Sequence, residues 1–174
     1  MWFFTGKGDE GEASLFDGRR LSKNAPEFEL IGILDEATAA LGLAISFSRN
    51  EQITSDLESI QDDLSKIMGM VAGASPPVIA ERFNVHERTS WLESLIHNYG
   101  EDLDNPHAFV YAGRTTCGAT IDLARTLVRK AERKFVKIID QNNPILDELP
   151  YINRLSSFLF ILRLFLDKNP AFSK

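Results

Sequence analysis

The segment "LSSFLFILRLF", Leu155 to Phe165, is apolar on nearly every side when it is wound into a helix. A surface helix has one apolar stripe; a segment like this needs neighbours around most of its circumference, in a bundle or an oligomer interface. Its most apolar run, "FLFILRLFL", Phe158 to Leu166, is too short to span a bilayer and carries Arg163. Burial inside protein is therefore the expectation, and the rest of the chain has to provide the walls.

Four further segments have the right periodicity. Ile33, Leu34, Ala37, Leu41 and Ala44 recur at helical spacing, as do Leu57, Ile60, Leu64, Ile67 and Val71. Asn84 and Glu87 form a capping box ahead of a third helix, with Trp91, Leu92, Leu95 and Ile96 facing inward. A long fourth helix is predicted from about Thr116 to Asp140, with Leu123, Leu127, Ala131, Phe135 and Ile138 as its apolar stripe. "GASPPV", "DLDNPH" and "QNNP" interrupt the pattern, because proline cannot continue a helix. No stretch alternates like a strand over a useful length, and no repeat is present. The expectation is one all-α domain over residues 1–174, an up-down bundle of about five helices with an extended or looped arm at 1–27.

The net charge of −6 argues against a general nucleic-acid or acidic-membrane binder. Cys117 is the one cysteine, so no intrachain disulfide forms, which suits a reducing cytoplasm. His86, His97 and His107 make no Cys/His metal pattern with it, so no metal ligands are singled out. "MWFFTGKGDEG" has neither the basic start nor the apolar stretch of a signal peptide.

Against that acidic background, "RTLVRKAERKF" concentrates Arg125, Arg129, Lys130, Arg133 and Lys134 around the single acid Glu132. Arg125, Arg129, Glu132 and Arg133 share one helix face. Two accounts fit: a solvated face relieved by Glu132, or an anion site in which arginine forks meet phosphate oxygens. The arm segment "FTGKGDEGEASLF" bears on this choice. Gly6, Gly8 and Gly11 let backbone N–H groups approach an anion, and Lys7 and Lys23 add charge. It is not a Walker A loop, and a glycine-rich arm can equally be a plain flexible terminus.

The order of the segments is more specific than any one of them. "TGKGDEGEASLFDGRRLSK", "ELIGILDEATAALGLA", "LARTLVRKAER" and "YINRLSSFLF" follow one another from Thr5 to about Phe165. This series resembles the ATP:cob(I)alamin adenosyltransferases of the PduO type. The resemblance implies a five-helix bundle that forms a homotrimer, with ATP, accompanied by Mg²⁺, and a Co(I) corrinoid, cob(I)alamin, as substrates bound between subunits. By position, Thr5, Gly6, Lys7, Gly8, Ser14 and Lys23 would be the arm's ATP contacts, and Arg129, Lys130, Glu132, Arg133 and Asn153 those of the bundle. Asp35 would pair with Arg125 on the corrinoid side, so that Asp35, Arg125 and Arg129 carry the catalytic roles. Phe109 would press on the lower face of the corrin ring.

The implied reaction moves the 5′-deoxyadenosyl group of ATP to cobalt, with no protein nucleophile. Positioning, charge stabilisation and control of cobalt's axial ligand are the protein's work. Several positions depart from the family's pattern. "DEAT" has Ala37 and Thr38, "FVYAGR" has Ala112 and Arg114, Asp122 stands where the family has His, Lys130 replaces the second Arg of a pair, and Ser157 ends "NRLSS". Arg114 brings bulk and charge to the expected corrin face, where it would either exclude the ring or recruit its carboxamides. The alternative function is a non-catalytic ATP- or corrinoid-binding oligomer, a sensor or regulatory paralogue.

Overall fold

The computed structural model describes residues 6–74, 83–104, 106–139 and 148–174. Five helices carry the fold: α1 (Pro26–Phe47), α2 (Glu51–Val71), α3 (Val85–Gly100), α4 (Thr116–Ile139) and α5 (Leu149–Lys168). Pro26 opens α1, where its missing N–H is no loss, and Glu27 and Glu29 suit the positive end of the helix. Asn50 caps α2 by accepting the Ile53 N–H at 3.0 Å. Asn84 accepts the Glu87 N–H at 3.3 Å, and its amide reaches the Glu87 carboxylate at 3.2 Å. The capping box is thus closed side chain to side chain.

The expected stripes of α1 and α2 are buried throughout. On α4 the stripe is a different one. Ala131, Phe135 and Ile138 are buried as expected, but Leu123 is 51% exposed and Leu127 only half-buried. The buried apolar set is Cys117, Ile121, Ala124, Val128, Ala131, Phe135 and Ile138, alternating steps of four and three. Steps of four alone, as from Leu123 to Phe135, drift around the helix. Alternation averages 3.5 residues and keeps one seam facing its neighbours.

α1 packs on α2 and α4, and α5 packs on α3 and α4. The backbones of α2 and α3 do not approach closely. Long polar side chains bridge them instead. Asp63 on α2 is 2% exposed and receives Arg88 of α3 and the Tyr151 hydroxyl of α5, each at 2.7 Å. Arg88 also lies 3.9 Å over the Trp91 ring. Asp56 accepts the Tyr99 hydroxyl at 2.7 Å. By length and hydropathy α1 and α5 could each cross a bilayer. Here most of their apolar positions line the shared core, and the apolar segment of α5 lies between α3 and α4.

The arm is a hairpin. Strands β1 (Glu12–Ser14) and β2 (Arg20–Ser22) pair antiparallel, with Ala13 opposite Leu21. At three residues each they are too short to show as an alternating pattern in sequence.

Two outcomes follow from this packing. Arg88→Met strips buried Asp63 of its cation, and urea unfolding should report a loss of about 3–5 kcal/mol. Burial pushes the Cys117 thiol from 9.0 up to about 11, so it stays protonated and shielded. It should resist a thiol reagent at pH 8 until denaturant is added. Between pH 9 and 11 an unfolded chain releases this proton while the folded chain keeps it, so stability should fall with rising pH in that window.

Candidate active site

The first half of the site is the arm. Gly6 and Gly11 adopt φ of +69° and +81°, which only glycine takes without strain. The Lys23 N–H closes the hairpin by donating to the Gly11 carbonyl at 2.8 Å. The Lys23 ammonium folds back over Gly8, so close that a Cβ there would lie 3.0 Å from Nζ. Arg20 pairs with Glu12 at 2.7 Å and donates to the Lys7 carbonyl at 3.4 Å. The structure thus gathers Gly6, Lys7, Gly8, Ser14 and Lys23 onto one small unit, while Thr5 lies outside the described residues. Leu15 is buried, the Phe16 N–H donates to the Ala72 carbonyl at 2.8 Å, and Arg19 meets Glu27 at 3.7 Å. These contacts dock the arm on the end of α2 and the start of α1.

The second half is the outer face of α4. With its seam turned to α1 and α5, the helix presents Arg129, Lys130 and Arg133 to solvent. Two of the neighbouring cations are already engaged by α1: Lys130 with Glu36 at 3.5 Å and Lys134 with Glu29 at 2.5 Å. The Lys134 hydrogen bond holds the Glu29 carboxyl below its usual range. Arg133 donates to the Arg129 carbonyl at 2.8 Å. Among the described residues the Arg129 guanidinium has no acidic partner. Asn153 on α5 donates to Glu132 at 2.7 Å, so these two expected site residues are in direct contact.

Beyond these two halves, a separate group surrounds Arg125 and the loop 106–114. The pairing of Arg125 with Asp35 is not made within the chain. Arg125 donates to Asp122 at 2.8 Å, one turn back on its own helix, and Asp35 is exposed with no ion pair among the described residues. A partner three residues away on the same helix is reached without spanning two helices. Phe109 is 82% exposed and Tyr111 80%, with their rings edge to face at 5.1 Å. The loop encloses a concavity of about 420 Å³ from Pro106 to Arg114 and turns at Gly113, whose φ is +106°. Arg114 is exposed at its end, within electrostatic reach of Asp167. Burial pushes the Asp167 carboxyl above its usual range, against the pull of Arg163 and Arg114.

Tyr111, Arg163 and Asp167 were not singled out from the sequence as site residues. Arg163 had a signal: a lone cation in an apolar helix must find buried partners. No group of three or more His, Cys, Asp or Glu among the described residues gathers as a metal site.

Residues 3–166 match the cobalamin adenosyltransferase family. The chain belongs to that family. The corrinoid adenosyltransferase PduO of Salmonella typhimurium is 36% identical over 163 residues, which are 93% of this chain and 48% of that protein. The corrinoid adenosyltransferase of Bacillus subtilis is 30% identical over 167 residues, 92% of this chain and 83% of that protein. The chain thus spans about half the length of the PduO relatives from Salmonella and Citrobacter freundii. Among solved structures, a variant PduO-type ATP:corrinoid adenosyltransferase from Lactobacillus reuteri, complexed with cobalamin and ATP, superposes with a TM-score of 0.88. It shares 26% identity, with 98% of this chain and 96% of that one covered. Another variant of that enzyme, complexed with ATP, gives a TM-score of 0.86 at 27% identity over 97% of this chain and 96% of that one.

Proposed function

We propose that this chain transfers the 5′-deoxyadenosyl group of ATP to a Co(I) corrinoid, giving an adenosylcorrinoid and triphosphate. The observation that carries the proposal is the cluster on α4: Arg129, Lys130 and Arg133 exposed on one face, with Glu132 tied to Asn153. It stands in a fold shared nearly end to end with an enzyme complexed with cobalamin and ATP. The balance is simple. The Co(I) electron pair attacks C5′, the C5′–O bond breaks, and the triphosphate leaves with its electrons.

Each part then has a task. Arg129, Lys130 and Arg133 meet the charge that builds on the triphosphate, together with backbone N–H groups of the arm around Gly6 and Gly8. Lys7, Ser14 and Lys23 belong to the same cradle, and Lys130 and Lys134 can exchange Glu36 and Glu29 for phosphate oxygens. Mg²⁺ travels with the phosphates, which needs no dedicated set of protein ligands. Phe109 covers the lower axial face of the corrin and keeps water or a base off cobalt, which makes Co(II) easier to reduce. Asp35 and Arg125 act on the corrinoid side.

The active form is a homotrimer with the arm of one subunit facing α4 of another. The Glu36–Lys130 pair sets an antiparallel register that puts Leu43 level with Leu123, two turns away on each helix. Both are about half exposed, at 49% and 51%, and a second copy would cover them. A single buried thiol suits a reducing, cytoplasmic setting.

The test is an anaerobic assay with MgATP and reduced cobalamin, followed for a light-sensitive cobalt–carbon product. Product above the protein-free control is expected. ATP binding without product would favour the non-catalytic nucleotide-binding paralogue and point to Arg114. Separately, Arg129→Ala should weaken ATP binding by at least tenfold, roughly the value of one charge-assisted contact, with the fold intact. Unchanged ATP affinity in that variant would sink the basic-face assignment.

A further inference from the structure

Arg163 is 1% exposed, on the segment of α5 that is otherwise apolar all round. Its guanidinium donates to the Val110 carbonyl at 2.9 Å and, more weakly, to the Tyr111 carbonyl at 3.4 Å. Two acids lie beside it inside the bundle: Asp167, one turn on, accepts from it at 3.4 Å, and Asp122 of α4 is 3.5 Å from Nε, an ion pair without a hydrogen bond. Asp122 is shared, since its carboxylate also takes Arg125 at 2.8 Å. The approach of α4 to α5 at this point depends on Gly118, where a Cβ would lie 2.9 Å from an Asp167 oxygen and 2.7 Å from the Thr115 hydroxyl.

A buried arginine is costly, and an apolar residue would suit this segment better for stability alone. What the arginine adds is reach and a planar fork. It bonds the loop's backbone, leaving the Phe109 and Tyr111 rings outside, where they are more than three-quarters exposed. We propose that Arg163 is the positioning residue of the aromatic loop, holding its backbone at Val110 and Tyr111 and linking it through Asp122 to Arg125. This rests on the reading of that loop as the corrinoid surface. The loop has no core of its own: Phe109, Tyr111, Ala112, Gly113 and Arg114 are all exposed. Without the anchor, the rings would have to be ordered at the moment of binding, and that entropy would appear as lost corrinoid affinity.

Arg163→Lys keeps a cation between Asp122 and Asp167 but loses the fork that spans two carbonyls. Three readouts are compared with the unaltered chain: backbone amide exchange across residues 109–114, cob(II)alamin affinity with MgATP present, and ATP affinity. The expected result is faster exchange in that loop, corrinoid affinity down at least fivefold, ATP affinity within twofold and unchanged helix content. Loop exchange that stays as slow as before overturns the anchor; faster exchange with unchanged corrinoid affinity overturns its role in positioning. Equal losses for ATP and corrinoid would mark a merely structural residue and also overturn it. Phe109→Ala separates this from the underlying reading. If that variant binds corrinoid normally, the loop is not the corrinoid surface and the proposal falls with it. If Phe109→Ala loses affinity and Arg163→Lys does not, only the role of Arg163 fails.

Discussion

The seam of α4 is the constraint on which both core and site depend. This helix alone packs on α1 and on α5, and its buried apolar side chains keep to steps of four and three from Cys117 to Ile138. That fixes its rotation. Once Ala124, Val128 and Ala131 face inward, Arg129, Lys130 and Arg133 have to face out, because 100° per residue leaves no other place for them. A one-residue slip of the seam would bury a guanidinium and scatter the basic face. Packing energy, distributed over many methyl groups, thus positions a charged cluster that could not hold itself together against its own repulsion.

Among the described residues, two buried clusters that contain an arginine link parts of the bundle to one another. Asp63, Arg88 and Tyr151 bridge the space between α2, α3 and α5, where backbones stay apart. Asp122, Arg163 and Asp167 lie at the end where the loop 106–114 leaves the core. Buried ions gain little net stability, since desolvation offsets most of their attraction. Their value is directional: a hydrogen-bonded carboxylate accepts a few geometries where a leucine accepts many. In the first cluster direction fixes helix orientation; in the second it fixes a loop whose own residues are exposed.

Helices α1 to α4 were legible because each buries one stripe, and a stripe is a statement about spacing that a sequence carries directly; α5 was legible because it is apolar nearly all round. The Asn84 cap was legible because its partner is three residues away. The inner seam of α4 was not, because Leu123 and Leu127 outweigh Ile121 and Ala124 in apolar area while lying off the seam. Hydrophobicity ranks residues; only neighbours decide which rank matters. The arm's glycines and the basic face of α4 could be read as separate chemistry, and order along the chain joined them. The Asp122–Arg125 pair and the reach of Arg163 to two carbonyls were hidden for a common reason. Both depend on which of several acids and acceptors lies within 3.5 Å: spacing alone does not choose between Asp35 and Asp122 for Arg125, nor fix the loop carbonyls beside Arg163.

On the proposed reading, an acidic protein has to hold a highly anionic ligand at a local site. A chain with net charge −6 repels anions at long range, so phosphate-bearing molecules gain nothing from the surface at large. Near α4 the sign reverses, but Glu36 and Glu29 of α1 already occupy Lys130 and Lys134. A lone phosphate would have to compete with those carboxylates for each lysine and would find little gain. A triphosphate engages several cations at once. On that reading it can exchange two exposed ion pairs, each contributing little to stability, while also using Arg129, which has no acidic partner among the described residues. On the proposed reading, the α1 acids set a threshold: they pair with the lysines until a ligand with enough charge displaces them together.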